Sequence, residues 1–261
     1  MSIKLVSWNV NGIRAVSKKD DFWGWFDATD ADIINFQEVR ATKEQIPKKL
    51  ADTDGFHKYY NEAEKKGYSG VGTYSRTEPV SVTKGLGIEE LDNEGRVLKI
   101  EYPDFILFNI YFPNSGKDGV RLDFKIDFCN ALLKQLVELK NQGKNVVITG
   151  DYNIAHHPID VYNPKNCEGK SGYLPEERAW LDELEDAGFI DTFRMFDEGE
   201  ENFTWWSYRT RARERNAGWR LDYFYVNEEI KDNVKSAAIL NEIYGSDHCP
   251  VTLELDFNNE G

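Results

Sequence analysis

Short apolar segments of strand length recur from one end of this chain to the other, and most of them run directly into polar side chains. Residues 3–8, IKLVSW, alternate apolar and polar as a strand does and lead into Asn9 and Asn11. IINF at 33–36 leads into Gln37 and Glu38, and FILFNIY at 105–111 ends at Tyr111 with Asn114 just beyond. NVVITG at 145–150 is a buried-type strand that leads into Asp151 and Asn153. LDYFYV at 221–226 begins beside Asp222, and the half-buried segment 251–257 is preceded by Asp247 and His248. Residues 70–75 and 96–101 read as further strands. An aspartate just past a strand is often only a turn or cap residue. Repetition of the pattern gives it weight, because polar groups at successive strand ends are the usual makings of an α/β active site.

Helical patterns lie between these strands. Phe22, Trp25 and Phe26 are spaced for a helix within 20–28. From 121 to 141, Leu122, Ile126, Cys129, Leu133, Leu136 and Leu139 or Lys140 step along one face of a long helix, with Gly143 placed to end it. PEERAWLDELEDAG at 175–188 starts on proline and ends at glycine. Strands outnumber helices, and several are joined by tight turns. This predicts an α/β chain with two mixed sheets packed together and helices outside, in preference to a doubly wound parallel sheet. No low-complexity linker divides residues 1–261, which read as a single domain.

The net charge of −14 argues against general affinity for nucleic acid. One stretch departs from it: YRTRARERNAGWR at 208–220 holds Arg209, Arg211, Arg213, Arg215 and Arg220 against Glu214 alone. A charge run is commonly a solvated loop, but this one is interleaved with Trp205, Trp206, Tyr208 and Trp219, a mixture suited to phosphates and bases. Cys129, Cys167 and Cys249 are scattered and unpaired in pattern, which fits a reducing compartment and argues against a disulfide framework or a thiolate zinc site. The start turns polar too soon for a signal peptide, and no apolar run nears membrane-spanning length. The expectation is a soluble, monomeric cytoplasmic protein (nuclear in a eukaryote) without a membrane partner.

Carboxylate and amide oxygens without paired thiols suit a hard cation, Mg²⁺ or Mn²⁺. No P-loop, H-E-x-x-H or G-x-G-x-x-G occurs, and the surroundings of Ser69 do not form a nucleophile elbow. Metal-assisted hydrolysis of a phosphate ester is the leading chemistry. In GSDHCPV at 245–251, consecutive side chains point to opposite sides, so the partners of His248 lie elsewhere in the chain.

Taken together and in order, SWNVNGIRA, FQEVR, KGYSGVG, YFPN, GDYN, TWWSYRTRARERNAGWRLDYF and GSDHCPV resemble the exodeoxyribonuclease III family of AP endonucleases. The resemblance covers nearly the whole chain. It implies a four-layer α/β sandwich of two mixed sheets flanked by helices. It also implies Mg²⁺-dependent incision of double-stranded DNA 5′ to an abasic site, with accompanying 3′→5′ exonuclease and 3′-end-cleaning activity. Carried over by motif, Glu38 resembles the main metal ligand, helped by Asn9 or Asn11 and by Asp247. Where a second ion binds, Asp151, Asn153 and His248 are its candidates. Asp151 resembles the residue that prepares the attacking water, while Tyr111, Asn153 and Asn114 resemble groups that orient the nucleophile and phosphate. Asp222 resembles the carboxylate that holds His248. The choice of Asp151 or of a neutral His248 as general base stays open. Trp205, Trp219 and Leu221 resemble the walls of a pocket for a flipped-out abasic sugar, and Lys117 and Arg209, with Arg211 and Arg213, resemble the DNA-contacting side chains. Asn11 stands where many relatives carry aspartate, and Trp205–Trp206 is bulkier than the pair in some relatives. Incision beside uracil or an oxidised base therefore stays open.

Overall fold

The computed structural model describes residues 2–257. Twelve strands are described: β1 (Ser2–Asn9), β2 (Ile33–Gln37), β3 (His57–Asn61), β4 (Val71–Ser75), β5 (Ser81–Lys84), β6 (Val97–Glu101), β7 (Ile106–Tyr111), β8 (Val146–Asp151), β9 (Phe189–Asp191), β10 (Asp222–Asn227), β11 (Val234–Ile239) and β12 (Val251–Asp256). They form two six-stranded sheets, β11-β12-β1-β2-β4-β3 and β5-β6-β7-β8-β10-β9. Each sheet has one parallel pair at its centre, β1 with β2 and β7 with β8, and antiparallel pairs elsewhere. The chain is thus an α/β sandwich of two mixed sheets with helices outside, as the alternation of its segments predicts.

The central strands are buried on both faces, so they carry no simple apolar–polar alternation. Each has instead a gradient along its inner face. Leu5, Ser7 and Asn9 follow one another on β1; Ile33, Asn35 and Gln37 on β2; Leu107, Asn109 and Tyr111 on β7; Val147, Thr149 and Asp151 on β8. The apolar ends make the core between the sheets, with Val226, Leu253 and Leu255. The middle positions make a buried polar layer: Gln37 donates to Ser7 Oγ (2.9 Å) and Asn109 Oδ1 (2.8 Å), and Thr73 donates to Asn35 (2.9 Å). The last positions reach the cleft. In register, Asn9 lies beside Gln37 and Tyr111 beside Asp151, so both parallel pairs end at one edge of the sandwich. Gly150 is required there: at φ 143° its missing Cβ would lie 1.7 Å from the Ile110 carbonyl oxygen.

Two further cores seal the outer faces. Trp8, Phe22, Trp25, Phe26 and Phe36 pack under helix Asp20–Ala28, and Phe108, Ile110, Phe128, Leu132, Leu136 and Trp180 pack under helices Leu122–Asn141 and Pro175–Asp186. The long helix ends as its glycine predicts: Gly143 N–H donates to Lys140 O and Lys144 N–H to Leu139 O, a Schellman closure with Gly143 at φ 73°. Its buried stripe keeps Cys129 and Leu136 of the expected face but is turned relative to the rest of it. Phe128, Cys129, Leu132 and Leu136 face inward, whereas Leu122, Ile126, Leu133 and Leu139 flank them half-buried. Lys125 lies on the buried side and pairs with Glu177, and a cation on an apolar stripe is invisible to a count of apolar positions. Among the described residues no helix is long and apolar enough to cross a membrane.

Candidate active site

Where the two parallel pairs end, an open cleft of about 450 Å³ is lined by Asn11, Glu38, Arg40, Tyr111, Asn114, Asp151, Asn153, Trp205, Trp219, Leu221, Asp247 and His248, with Lys170, Ser171 and Gly172 on its rim. Its polar residues come from both sheets. Asn9 links them: its amide nitrogen donates to Glu38 Oε2 (3.0 Å) and to Asp151 Oδ2 (2.7 Å), while its oxygen accepts from the Asn11 backbone (2.9 Å). Asn11 donates to Asp247 Oδ1 (2.8 Å). The other Glu38 oxygen accepts from Arg40 Nε (3.1 Å) and Nη2 (2.5 Å).

Four of these residues hold unusual backbone. Asn11, Glu38, Arg40 and Asn153 have φ of 48°, 50°, 51° and 50°. Left-handed conformation is unfavourable for most side chains with a Cβ, and here it turns the chain just past the ends of β1, β2 and β8, where these residues line the cleft.

Asp151 is buried, and burial pushes its carboxyl well above the ordinary range, against the opposing charge of His248. Its Oδ1 accepts from the Asn153 backbone (2.8 Å), and its Oδ2 lies 3.7 Å from His248 Nε2. The other ring nitrogen of His248, Nδ1, lies 2.8 Å from Asp222 Oδ2. Burial alone would lower the His248 pKa; the charges of Asp222 and Asp151 and the Asp222 hydrogen bond outweigh it and raise the pKa. Tyr111 is pushed up by burial and by the charges of Glu38 and Asp151, so its phenol keeps its proton.

The loop carrying His248 is fastened to β1. Trp8 Nε1 donates to the His248 carbonyl (3.0 Å), and Ser246 Oγ donates to the Asn9 carbonyl (2.8 Å). Cys249 turns into the core, wholly buried. Segment 203–206 is clamped on both sides: Trp205 exchanges two backbone hydrogen bonds of 2.9 Å with Trp219, and Thr204 O accepts from Cys249 N–H (2.8 Å). Trp205 and Trp219 thereby stand edge to face at 6.2 Å, and Trp205 Nε1 donates to Asp247 Oδ2 (3.1 Å).

Sequence reading missed several supports. Thr204 Oγ1 accepts from the backbones of Leu221 (2.9 Å) and Asp222 (3.1 Å), setting Asp222 in place. Lys125, fully buried, donates to Asn153 O (2.7 Å) and Glu177 Oε1 (2.8 Å). Glu177 Oε2 then accepts from the backbones of Gly172 (2.7 Å) and Leu174 (3.0 Å). Arg96 donates to the Tyr111 carbonyl (2.9 Å) and stacks over its ring at 4.7 Å. Arg40 had no signal beyond its place after Glu38.

The basic stretch divides. Arg209 and Arg211 are exposed, as is Lys117. Arg213 donates to the carbonyls of Asn241 and Ile243 (2.6 Å each) and stacks on Trp206 and Tyr244. Arg220 does not belong to a basic surface: it is buried and bonded to Asp160 (2.8 Å) and Asp191 (2.6 Å). The position adjoins the strand that carries Asp222, and a buried cation there is stable only with acid partners.

The sequence profile of the Endonuclease/Exonuclease/phosphatase family matches residues 6–248. The chain belongs to this family. Among its relatives, the exodeoxyribonuclease of Bacillus subtilis (strain 168) is 43% identical over 255 residues, covering 97% of this chain and all of the relative. The DNA repair nuclease APEX1 of Danio rerio is 41% identical over 261 residues, covering 97% of this chain and 82% of the relative. The crystal structure of the AP endonuclease LMAP from Leishmania major superposes with a TM-score of 0.88 at 29% identity, over 97% of this chain and 87% of that one. Membership together with these full-length nuclease relatives makes this chain a nuclease hydrolase with relatives in DNA repair. The family's matched span includes every cleft residue named above, from Asn9 to His248.

Proposed function

We propose that the protein is a Mg²⁺-dependent DNA repair endonuclease that hydrolyses the phosphodiester 5′ to an abasic site in double-stranded DNA, with 3′→5′ exonuclease and 3′-end-cleaning activity. It acts as a cytoplasmic monomer, with residues 1–261 forming one catalytic domain. The observation that carries this reading is the pairing of an acidic cleft, built on Asp151 and His248, with the wall formed by Trp205, Trp219 and Leu221. A small aromatic box admits a deoxyribose without a base and rejects a full nucleotide by size. The segment leaving this wall bears the exposed Arg209 and Arg211, and with Lys117 these supply phosphate contacts.

The donor set fits a hard divalent cation. Glu38 and Asp247 offer carboxylate oxygens and Asn11 an amide oxygen, with no thiolate near them. These residues would hold Mg²⁺, or Mn²⁺ in its place, with Asn9 orienting Glu38; a second ion would draw on Asp151, Asn153 and His248. When bound, the ion supplies positive charge that offsets the charge gathering on the leaving oxygen.

The chain's own groups do the rest. Asp151, high in pKa and fixed by Asn9 and Asn153, accepts the proton of the attacking water. His248, kept protonated by Asp222, donates from Nε2 to a non-bridging phosphate oxygen. Asn114 donates to Asn153 Oδ1 (3.0 Å), which fixes the Asn153 amide facing the cleft. Tyr111 keeps its phenolic proton for a phosphate oxygen.

The test is a duplex carrying one abasic-site analogue, incubated with Mg²⁺ or with EDTA. Incision 5′ to the lesion only with Mg²⁺ is expected. Asp151→Asn should lower the single-turnover rate roughly 10²–10⁴-fold with DNA affinity nearly kept. Equal results with and without EDTA, or near-normal cleavage by the variant, would overturn the reading; activity on phospholipid or small phosphate esters alone would redirect it to another branch of the family.

A further inference from the structure

A second cluster of chemically competent side chains stands apart from the cleft. The chain that leaves β8 through Asp151 and Asn153 reaches His156 and His157 against helix Pro175–Asp186. The His156 side chain is 1% exposed, yet both its nitrogens face carboxylates. Nε2 lies 2.8 Å from Asp182 Oδ1, a hydrogen bond. Nδ1 lies 3.5 Å from Glu185 Oε1 and has no hydrogen-bond partner, although it is buried. The His157 ring stacks on that of His156 with centroids 3.7 Å apart. One donor atom each from His156, His157 and Glu185 falls within 4.8 Å of the others.

A buried imidazole nitrogen without a partner is costly. With Nε2–H donated to Asp182, Nδ1 is left 3.5 Å from Glu185 Oε1, a gap that either a proton or a shared metal ion would bridge. The arrangement matches a metal-binding histidine, which ligates through one nitrogen and gives the other N–H to a carboxylate. His157 and Glu185 lie toward solvent, so the His157 ring can leave its stack on His156, turn a nitrogen toward the ion and, with Glu185, reach the roughly 3.3 Å donor spacing of a tetrahedral site.

We propose that His156, His157 and Glu185 bind one borderline transition-metal ion, of the Zn²⁺, Co²⁺ or Ni²⁺ class, with Asp182 orienting His156. Two imidazoles and a carboxylate select such an ion over Mg²⁺, which prefers oxygen donors. The ion is structural in its placement. It joins the segment that presents Asp151 and Asn153 to a helix already tied to it by Arg178 Nε, which donates to the His156 carbonyl (2.8 Å). A proton on Nδ1 is the rival occupant.

The experiment titrates the full chain with Co²⁺ in excess Mg²⁺, reading visible d–d absorption, with Zn²⁺ calorimetry alongside. Excess Mg²⁺ occupies the oxygen-rich cleft. One Co²⁺ per chain is expected, weakened at least about tenfold in His157→Ala and in Glu185→Gln, and unchanged in Glu38→Gln. Zn²⁺ should raise the melting temperature of the parent protein and not that of His157→Ala. His157 is exposed, so its replacement leaves the fold intact, and retained Mg²⁺-dependent activity checks this. Absence of Co²⁺ binding would overturn the proposal in favour of the proton. So would binding that survives His157→Ala and disappears in Glu38→Gln, which would place the ion in the cleft. Neither result depends on which DNA lesion the cleft prefers.

Discussion

Asn9 donates to Asp151 at 2.7 Å across the seam between the two sheets. The same amide nitrogen also donates to Glu38, so one neutral side chain fixes the carboxylates of both sheets relative to each other. Asn9→Ala should leave two carboxylates facing each other without that bridge. We expect a single-turnover rate roughly 10–100-fold lower, with unfolding in urea little changed. An unaltered rate would mean that Asn9 only fills space.

The His248 pKa sets a direction for the alkaline limb of the pH–rate profile. Burial lowers it, and Asp222 and Asp151 raise it by more. A raised pKa keeps the imidazolium through neutral pH, so activity falls only as pH climbs past that raised value. Asp222→Asn removes the main raising charge. The alkaline limb should move to lower pH and the rate at neutral pH should drop roughly 10³–10⁴-fold. A limb that stays in place would assign it to another group, with Tyr111 next in line.

Asp160 gives the opposite sign for stability. Burial would raise its carboxyl pKa, but Arg220, helped by Arg194, outweighs burial and holds it far below the ordinary carboxylate value. Its contribution is complete above the unfolded pKa, about 4, and is lost as pH falls through the lower folded value. Asp160→Asn should cost about 3 kcal/mol at pH 7, because it strips a buried guanidinium of one partner. The variant should also lose less further stability between pH 5 and the acid limit of folding. Urea titrations across that range compare the two slopes.

Arg209, Arg211 and Arg213 should not behave alike. The first two are free at the surface, whereas Arg213 is spent on the carbonyls of Asn241 and Ile243. Arg209→Ala with Arg211→Ala should reduce the slope of log binding constant against log salt by about two. Arg213→Ala should change the slope little and lower the melting temperature. Equal slopes for all variants would show the stretch to be a solvated loop.

Much of this was legible in the sequence, for reasons that particular residues make clear. Asn9, Glu38, Tyr111, Asp151, Asp222 and His248 are polar residues beside apolar strands, and strand ends are easily found. The two-sheet class followed from the tally of strand and turn signals. What escaped was whatever depended on pairing between distant segments. Lys125 and Glu177 look like ordinary charges on exposed helix faces until the two helices meet. Arg220 was grouped with its basic neighbours because Asp160 and Asp191 lie far back in the chain. One signal went unused: Leu5-Ser7-Asn9 and Val147-Thr149-Asp151 show the same apolar-to-polar progression at a period of two, which already marks inner faces leading toward a site.

The pairing of β1 with β12, from Ser2 opposite Asp256 to Ser7 opposite Val251, has a consequence for the timing of synthesis. Glu38 and Asp151 are made before the loop with His248 and before the strand that anchors β1. A copy that stops after β8 has these carboxylates but lacks His248 and the strand that pairs with β1. Closing the first sheet and completing the cleft are therefore one step in the making of the molecule.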